Sequence, residues 1–443
     1  MPEKHNGFRG FRENFTKTFR KLNLFFLAFL FSSLEIGIWV PGHHLLSLAS
    51  ATVALIGPIL IFINRNIIFE VLKKEPVLFF FLACFIAVVF FSMHFSQNHA
   101  VAHVFSVKYL FQILIFVGIF LSISNYGEEI RFRFLRGMVY FASLNGFVVI
   151  YEKSNILFSL QIIQFFNKST DVDWSRFPGM FINPNGLGAF EALSLIALIL
   201  FRKDLFRKKV FFFINFVFSL AGLFLSASLN GIGNLIIFFV GYFFFFGGER
   251  LKKFRVYVIL FSLLSLVFVH KELFRRVGPL LAFRWDHQNL SVTLHVLDSL
   301  KERFNLWHVA KVDIEEHKIW GLGAGVFIFS HSILSTVNKE PVVIGFGQLN
   351  AHNLELNMAV SFGLFGLSVF ILFLFRSFII MLKRKDYSSV VLFSFLFLLQ
   401  QIDCFLDSYF SWMIAFWGVM AVAVAKGLRQ SNDLQLSEPG RKE

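Results

Sequence analysis

Residues 355–382 read ELNMAVSFGLFGLSVFILFLFRSFIIML, and Lys383-Arg384-Lys385 follow at once. A helix needs roughly 20 predominantly apolar residues to cross the hydrocarbon core of a bilayer. This run meets that length and stops on three cations. Working outward, runs of similar length recur at 22–40, 45–63, 76–93, 105–124, 136–152, 185–201, 209–226, 229–247, 254–270, 388–405 and 408–426. The pair 209–226 and 229–247 is parted only by the tight break Leu229-Asn230-Gly231. Composition agrees with the runs. Hydrophobic residues make up 56% of the chain, charged residues only 16%, and the mean hydropathy is +0.67. A soluble domain needs more charge than this to cover its surface. The expected fold is therefore all-α: a polytopic membrane helix bundle of about 12 transmembrane helices.

The formal net charge of +14 could point to nucleic acid, but the placement of the 42 Lys and Arg excludes that reading. Most of them fall in short connections that alternate along the chain, which is the positive-inside pattern. With the N-terminus inside, the cytoplasmic connections carry Arg65/Lys73/Lys74, Arg131/Arg133/Arg136, Arg202/Lys203/Arg207/Lys208/Lys209, Arg250/Lys252/Lys253/Arg255 and Lys383/Arg384/Lys385. The connections at 41–44 and 94–104 carry no Lys or Arg. The expected organisation is a cytoplasmic tail at 1–21, spans one to nine at 22–270 and a periplasmic loop at 271–354. Spans ten to twelve follow at 355–426, then a cytoplasmic tail at 427–443. The basic segment with Lys4, Arg9, Arg12, Lys17, Arg20 and Lys21 reads as a tail before a first span, since no small-residue cleavage site follows it. Cys84 and Cys404 lie in or beside apolar runs and imply no disulfide framework.

Two irregular segments fall outside, 153–184 and 271–354. Within the second, Leu297, Leu300, Phe304, Trp307, Ala310 and Ile314 share one helical face, which predicts an amphipathic helix along the outer leaflet. Three motifs sit in these segments. The first is Arg176-Phe-Pro-Gly-Met-Phe-Ile-Asn183-Pro-Asn185-Gly-Leu-Gly188. Pro184 breaks regular structure at the mouth of span six, and Arg176 suits bidentate phosphate binding. Taken alone, it reads equally as a turn with a snorkelling arginine. The second is Arg303-Phe-Asn-Leu-Trp307, continuing to Gly321-Leu-Gly323-Ala-Gly325. No strand precedes these glycines, so they form a tight turn rather than a dinucleotide fingerprint. The third is His352-Asn353, then nine residues, then Gly363-Leu-Phe-Gly366. An imidazole there titrates near neutral pH and can act as a general base, and the two glycines allow close helix packing. An interfacial histidine on a packing helix is the plainer alternative.

Other residues weigh less. Asp171-Val-Asp173 resembles a metal-holding acidic pair but lies outside, where nucleotide sugars are absent. His43-His44 and the scattered His287, His295, His308, His317 and His331 lack metal-ligand spacing. Lys108, Glu191, Asp403 and Asp407 lie in or at the ends of spans, where charge is costly and marks function. Asp403 and Asp407 would stand one turn apart on span eleven, placed to orient Arg176 or Arg303.

Together, the three motifs and the twelve-span topology resemble the O-antigen ligase family and the related Wzy-type polysaccharide polymerases, over roughly residues 150–380. The family pattern is Arg-x-x-Gly-x-Phe-x-Asn-Pro-Asn, then an Arg and a Trp before Gly-x-Gly-x-Gly, then His-Asn, nine residues and Gly-x-x-Gly. The chain departs from it in two places. Asn230 stands where the family often has Arg in Ser-Arg-Gly, and Leu367 where ligases often have Thr or Ile. The resemblance implies metal-independent glycosyl transfer at the periplasmic face of an inner membrane, with no cofactor. The donor would be a glycan on undecaprenyl diphosphate and the acceptor a sugar hydroxyl on lipid A-core or a growing glycan. Arg176 and Arg303 would bind the diphosphate and His352 would act as base. Asn183, Asn185, Asn353, Gly363, Gly366, Asp403 and Asp407 would support them. A transporter or flippase is the rival class, and the absence of a repeat between the halves speaks against it.

Overall fold

Apolar runs with no water to bond their backbones must close their hydrogen bonds locally, and helices do so. The computed structural model describes residues 23–34, 37–40, 43–96, 98–155, 177–181, 183–246, 303, 306–327, 334–337, 340–343, 351–401, 404 and 410–425. In chain order these form α1 (Leu24–Ser33), β1 (Gly37–Val40), β2 (His43–Ser47), α2 (Leu48–Ile63), α3 (Ile68–Lys74), α4 (Pro76–Phe95), α5 (His99–Tyr126) and α6 (Glu128–Ser154). Then come α7 (Pro184–Leu200), α8 (Arg202–Leu205), α9 (Lys209–Ser226), α10 (Leu229–Phe246) and α11 (306–316). The last are β3 (Leu334–Val337), β4 (Glu340–Val343), α12 (Leu354–Lys383), α13 (Tyr387–Leu399) and α14 (Phe410–Val424).

Among the described residues, five helices are long and apolar enough to cross a membrane: α4, α5, α6, α9 and α12. A sixth span arises if α2 and the segment Arg65–Lys74 are joined across their 60° bend. Five shorter apolar helices, including α1, α7, α13 and α14, pack among them. The chain is thus a membrane protein built of helices. The expected run at 254–270 lies outside the described residues.

Three expectations change in detail. The first apolar run is helical only to Ser33 and is followed by the short antiparallel hairpin β1–β2. A second hairpin, β3–β4, lies between α11 and α12. The run expected at 388–405 is helical only to Leu399. The amphipathic helix is present as α11, but its buried face meets protein. Leu306 and Ala310 join Ala102, Leu322, Val326, Phe327, Ala351 and Val360 in a core separate from the main one.

α14 forms the centre of the bundle. Nothing on it distinguishes a polar face, and every residue from Ser411 to Val424 is buried. Its two indoles anchor it at different depths: Trp412 Nε1 donates to Gly186 O at 3.0 Å and Trp417 Nε1 to Gln112 Oε1 at 2.9 Å. Helices α1, α2, α5, α6, α12 and α13 surround it. One end of the bundle is basic and clamped by ion pairs. Arg131, 1% exposed, donates from Nη2 to Asp386 Oδ2 at 2.9 Å and to Ser389 Oγ, and from Nη1 to Glu128 Oε2 at 3.0 Å. Glu75 pairs with Arg376 at 2.9 Å and Arg384 at 3.1 Å, and Arg384 also caps Val424 O.

Removing one partner of a buried pair strands the other charge. Arg131→Met is expected to destabilise the purified protein by about 3–5 kcal/mol, with Arg131→Met/Asp386→Leu recovering most of that loss. Thermal unfolding in detergent checks both.

Candidate active site

The motifs gather at the end of the bundle opposite the ion-pair clamp. Here the ends of several helices need partners for backbone groups that no helix satisfies. At the C-terminus of α13 three successive carbonyls are covered by two other elements. Asn230 Nδ2, in the first turn of α10, donates to Leu399 O at 2.9 Å. Leu354 N donates to Gln400 O at 3.1 Å, and Asn353 Nδ2 to Gln401 O at 3.3 Å. This stop explains why α13 ends before the apolar run does. Asn353 also caps α12, its side chain accepting from Leu356 N at 3.0 Å. Gln401 Nε2 then reaches Glu355 Oε1 at 2.8 Å.

His352 is held between two pinned neighbours. On one side, Trp307 Nε1 donates to Ala351 O at 2.9 Å. On the other, Asn353 caps α12. Between them His352 takes φ +49, the left-handed region that non-glycine residues rarely adopt. Its side chain is half-buried. Arg303, also half-buried, stands four residues before Trp307 in the sequence. One indole bond therefore ties α11 to the loop that carries His352.

A second tie lies below the first. At Gly363 (φ +69) helix α12 breaks inside the bundle. The turn Gly321–Gly325 fills the break. Leu322 N donates to Val360 O at 2.7 Å, Gly323 N to Ser361 O at 3.1 Å, and Leu364 N to Lys318 O at 2.8 Å. The carbonyls that the break releases are thus bonded again, as burial requires. Side chains are excluded on both partners. A Cβ on Gly363 would stand 2.0 Å from Ile319 O, and one on Gly321 2.5 Å from Val360 O. Ser96 Oγ donates to Leu322 O at 2.7 Å, fixing the turn to the α4–α5 corner as well. Gly366, one turn on, faces Val88.

The first motif lies beside these. Arg176 is outside the described residues, as are Asp403 and Asp407. The residues just after Arg176 are tightly held: Phe177 N donates to Leu225 O at 3.2 Å, Gly179 N to Glu152 Oε2 at 3.1 Å, and Met180 N to Asn145 Oδ1 at 2.9 Å. Asn183 caps α7, accepting from Asn185 N at 2.7 Å, with Pro184 in the first turn. The structure ties Trp307 to Ala351, the neighbour of His352, and packs Gly321 against Gly363. Beside Asn185, Gly186 O accepts from Trp412 Nε1 of α14. Glu191 lies well inside α7, fully buried against Gly222 rather than at the motif end.

Glu152 and Asn145 were not among the residues that the sequence singled out. Both are buried on α6 and hold the 179–180 turn. A glutamate two residues from the end of an apolar helix was the available signal, of the same kind that marked Glu191.

Gly363→Ala is expected to cost about 1–3 kcal/mol in backbone strain alone. It should also expose the 317–327 turn to proteolysis. Gly241→Ala, where an added Cβ meets nothing within 4 Å, is expected to be neutral. Thermal unfolding and limited proteolysis of the two variants check this.

No curated protein matches the chain. A family model does: Wzy_C, described as O-Antigen ligase, matches residues 214–371. That segment takes in Arg303, Trp307, the 321–325 turn, His352 and Gly366, and stops short of Arg176 upstream. Residues 214–371 thus carry the pattern of the O-antigen ligase superfamily, the one that the chain's motifs resemble.

Proposed function

We propose that this membrane protein is an O-antigen ligase-like glycosyltransferase of the bacterial inner membrane. Both termini lie in the cytoplasm and the motif end faces the periplasm. It moves a glycan from undecaprenyl diphosphate to a sugar hydroxyl of lipid A-core. The observation that carries the reading is the Trp307–Ala351 bond, which ties α11, three residues after Arg303 in sequence, to the residue before His352.

The chemistry suits that arrangement. The acceptor hydroxyl attacks the anomeric carbon of the donor glycan. The bond from that carbon to the diphosphate oxygen breaks, and the electron pair leaves with undecaprenyl diphosphate. His352 takes the hydroxyl proton. Arg303, with Arg176 from the upstream motif, faces the charge that grows on the leaving diphosphate. Guanidinium groups do this with forked, charge-assisted hydrogen bonds and need no metal. Asn353, the α12 cap, and the glycine pair Gly321/Gly363 hold the geometry, and Asn183 and Asn185 hold the mouth of α7. Asp403 and Asp407, which lie outside the described residues, would orient an arginine. The apolar outer faces of the bundle give the polyprenyl chain a lateral approach from lipid.

A second reading, a Wzy-type polymerase, uses the same residues with a growing glycan as acceptor, and the family match supports both readings. The surface-glycan banding of a deletion strain separates them. Loss of all capped lipid A-core marks the ligase, and a single-repeat cap marks the polymerase. Movement of lipid-linked glycan in proteoliposomes with no covalent product would instead mark a flippase.

Purified His352→Ala should fold and still bind donor, while transfer falls by about 10²–10⁴-fold. Full activity in that variant would remove histidine from the mechanism. Arg303→Ala should weaken donor binding more than Arg303→Lys, because lysine keeps the charge but loses the fork. Equal effects of the two substitutions argue against a bidentate phosphate contact.

A further inference from the structure

Lys108 has no part in the motifs, yet it lies in α5, an apolar helix that crosses the bundle. Charge at such a position is costly and marks function. The helix begins at His99. At 1.5 Å per residue, the Cα of Lys108 lies about 14 Å along it. Side chains on a helix lean toward its N-terminus. The lysine therefore reaches back toward the end of the bundle that holds His352, and its ammonium stands 5.0 Å from the ring centre of Phe105, one turn nearer that end.

Two rings flank the ammonium, and each belongs to a different motif's support. The ring of Phe105 packs against Gly325 of the glycine turn, where an added Cβ would stand 2.3 Å from it. That turn is bonded to α12 at Val360 and Ser361, below the His352 loop. The ring of Phe410, 5.1 Å from the ammonium, opens α14. Two residues later Trp412 bonds Gly186 in the first turn of α7, within the motif that begins at Arg176. Lys108 thus stands between the two halves of the candidate site and deeper in the bundle than either. A ring face holds a cation by its quadrupole.

We propose that Lys108 is a third cationic contact of the donor diphosphate and grips the phosphate nearer the lipid. The proposal rests on the transferase reading above. A polyprenyl diphosphate enters from lipid with its chain in the apolar bundle, so its first phosphate lies deepest and its second lies toward the sugar. Arg303 and His352 are at the motif end, where the glycosidic bond is broken. Lys108 is set back along α5, where the lipid-side phosphate would sit. An ammonium there also steadies the diphosphate as it leaves.

The test uses the full-length protein in detergent, with undecaprenyl diphosphate and undecaprenyl monophosphate as binding probes. Lys108→Met keeps the length of the side chain and removes its charge. It is expected to weaken binding of both lipids by about tenfold or more, the worth of one charge-assisted contact. Lys108→Arg should restore most of that binding. Thermal unfolding should be alike in all three proteins. Unchanged binding in Lys108→Met overturns the proposal, as does equal weakening in Met and Arg variants, which would indicate packing rather than charge. Loss of diphosphate binding with monophosphate binding intact overturns the lipid-side assignment. If the unaltered protein binds neither lipid, the transferase reading itself fails, and that result is distinct from the others.

Discussion

Inside a bilayer a backbone carbonyl that leaves its helix finds no water, and each such group must find a partner in the protein. The motif end of this bundle is organised by that requirement. α12 breaks at Gly363, and the released carbonyls of Val360 and Ser361 are taken by Leu322 N and Gly323 N. α13 stops at Leu399, and its last carbonyls are taken by Asn230, Leu354 N and Asn353. Both repairs are made by residues that belong to motifs. The 317–327 turn, the α12 cap and the start of α10 are therefore parts of one bonded unit, and His352 lies inside it.

The two ends of the bundle differ in what holds them. The basic end relies on charge: Arg131 with Asp386 and Glu128, and Glu75 with Arg376 and Arg384. The motif end relies on hydrogen bonds donated by indole, amide and backbone groups. His352 itself sits at φ +49 between two pinned residues, a strained setting of the kind that persists where surroundings over-determine it. α14, buried on every side, runs between the ends and touches both: Trp412 at the mouth of α7, and Val424 under Arg384.

Much of this is legible in the order of residues alone. The apolar runs mark helices, with errors where a local stop intervenes. The first run ends in a hairpin after Ser33, and the run after Tyr387 ends at Leu399 because side chains from other elements cap it. Hydropathy has no knowledge of such caps. The face of α11 is visible in the spacing of Trp307, Ala310 and Ile314, but its partner is not. Periodicity says that a face is buried, and whether lipid or protein buries it depends on what lies opposite. Here that is Ala102, Ala351 and Val360. Glu152 and Asn145 escape notice because their work is to accept from the backbone of a turn much later in the chain.

The sequence by itself determined the membrane class, the basic and non-basic ends, and the residue types available for phosphate binding and proton transfer. Length of apolar runs and placement of cations are local properties, and local properties are written in order along a chain. The tertiary structure alone decided that Trp307 meets the loop of His352, through one indole donor on Ala351 O. It alone decided that Gly321 and Gly363 are two sides of one contact, and that Lys108 lies between Phe105 and Phe410. Each of these joins residues far apart in order, by bonds or ring contacts that leave no period in the sequence.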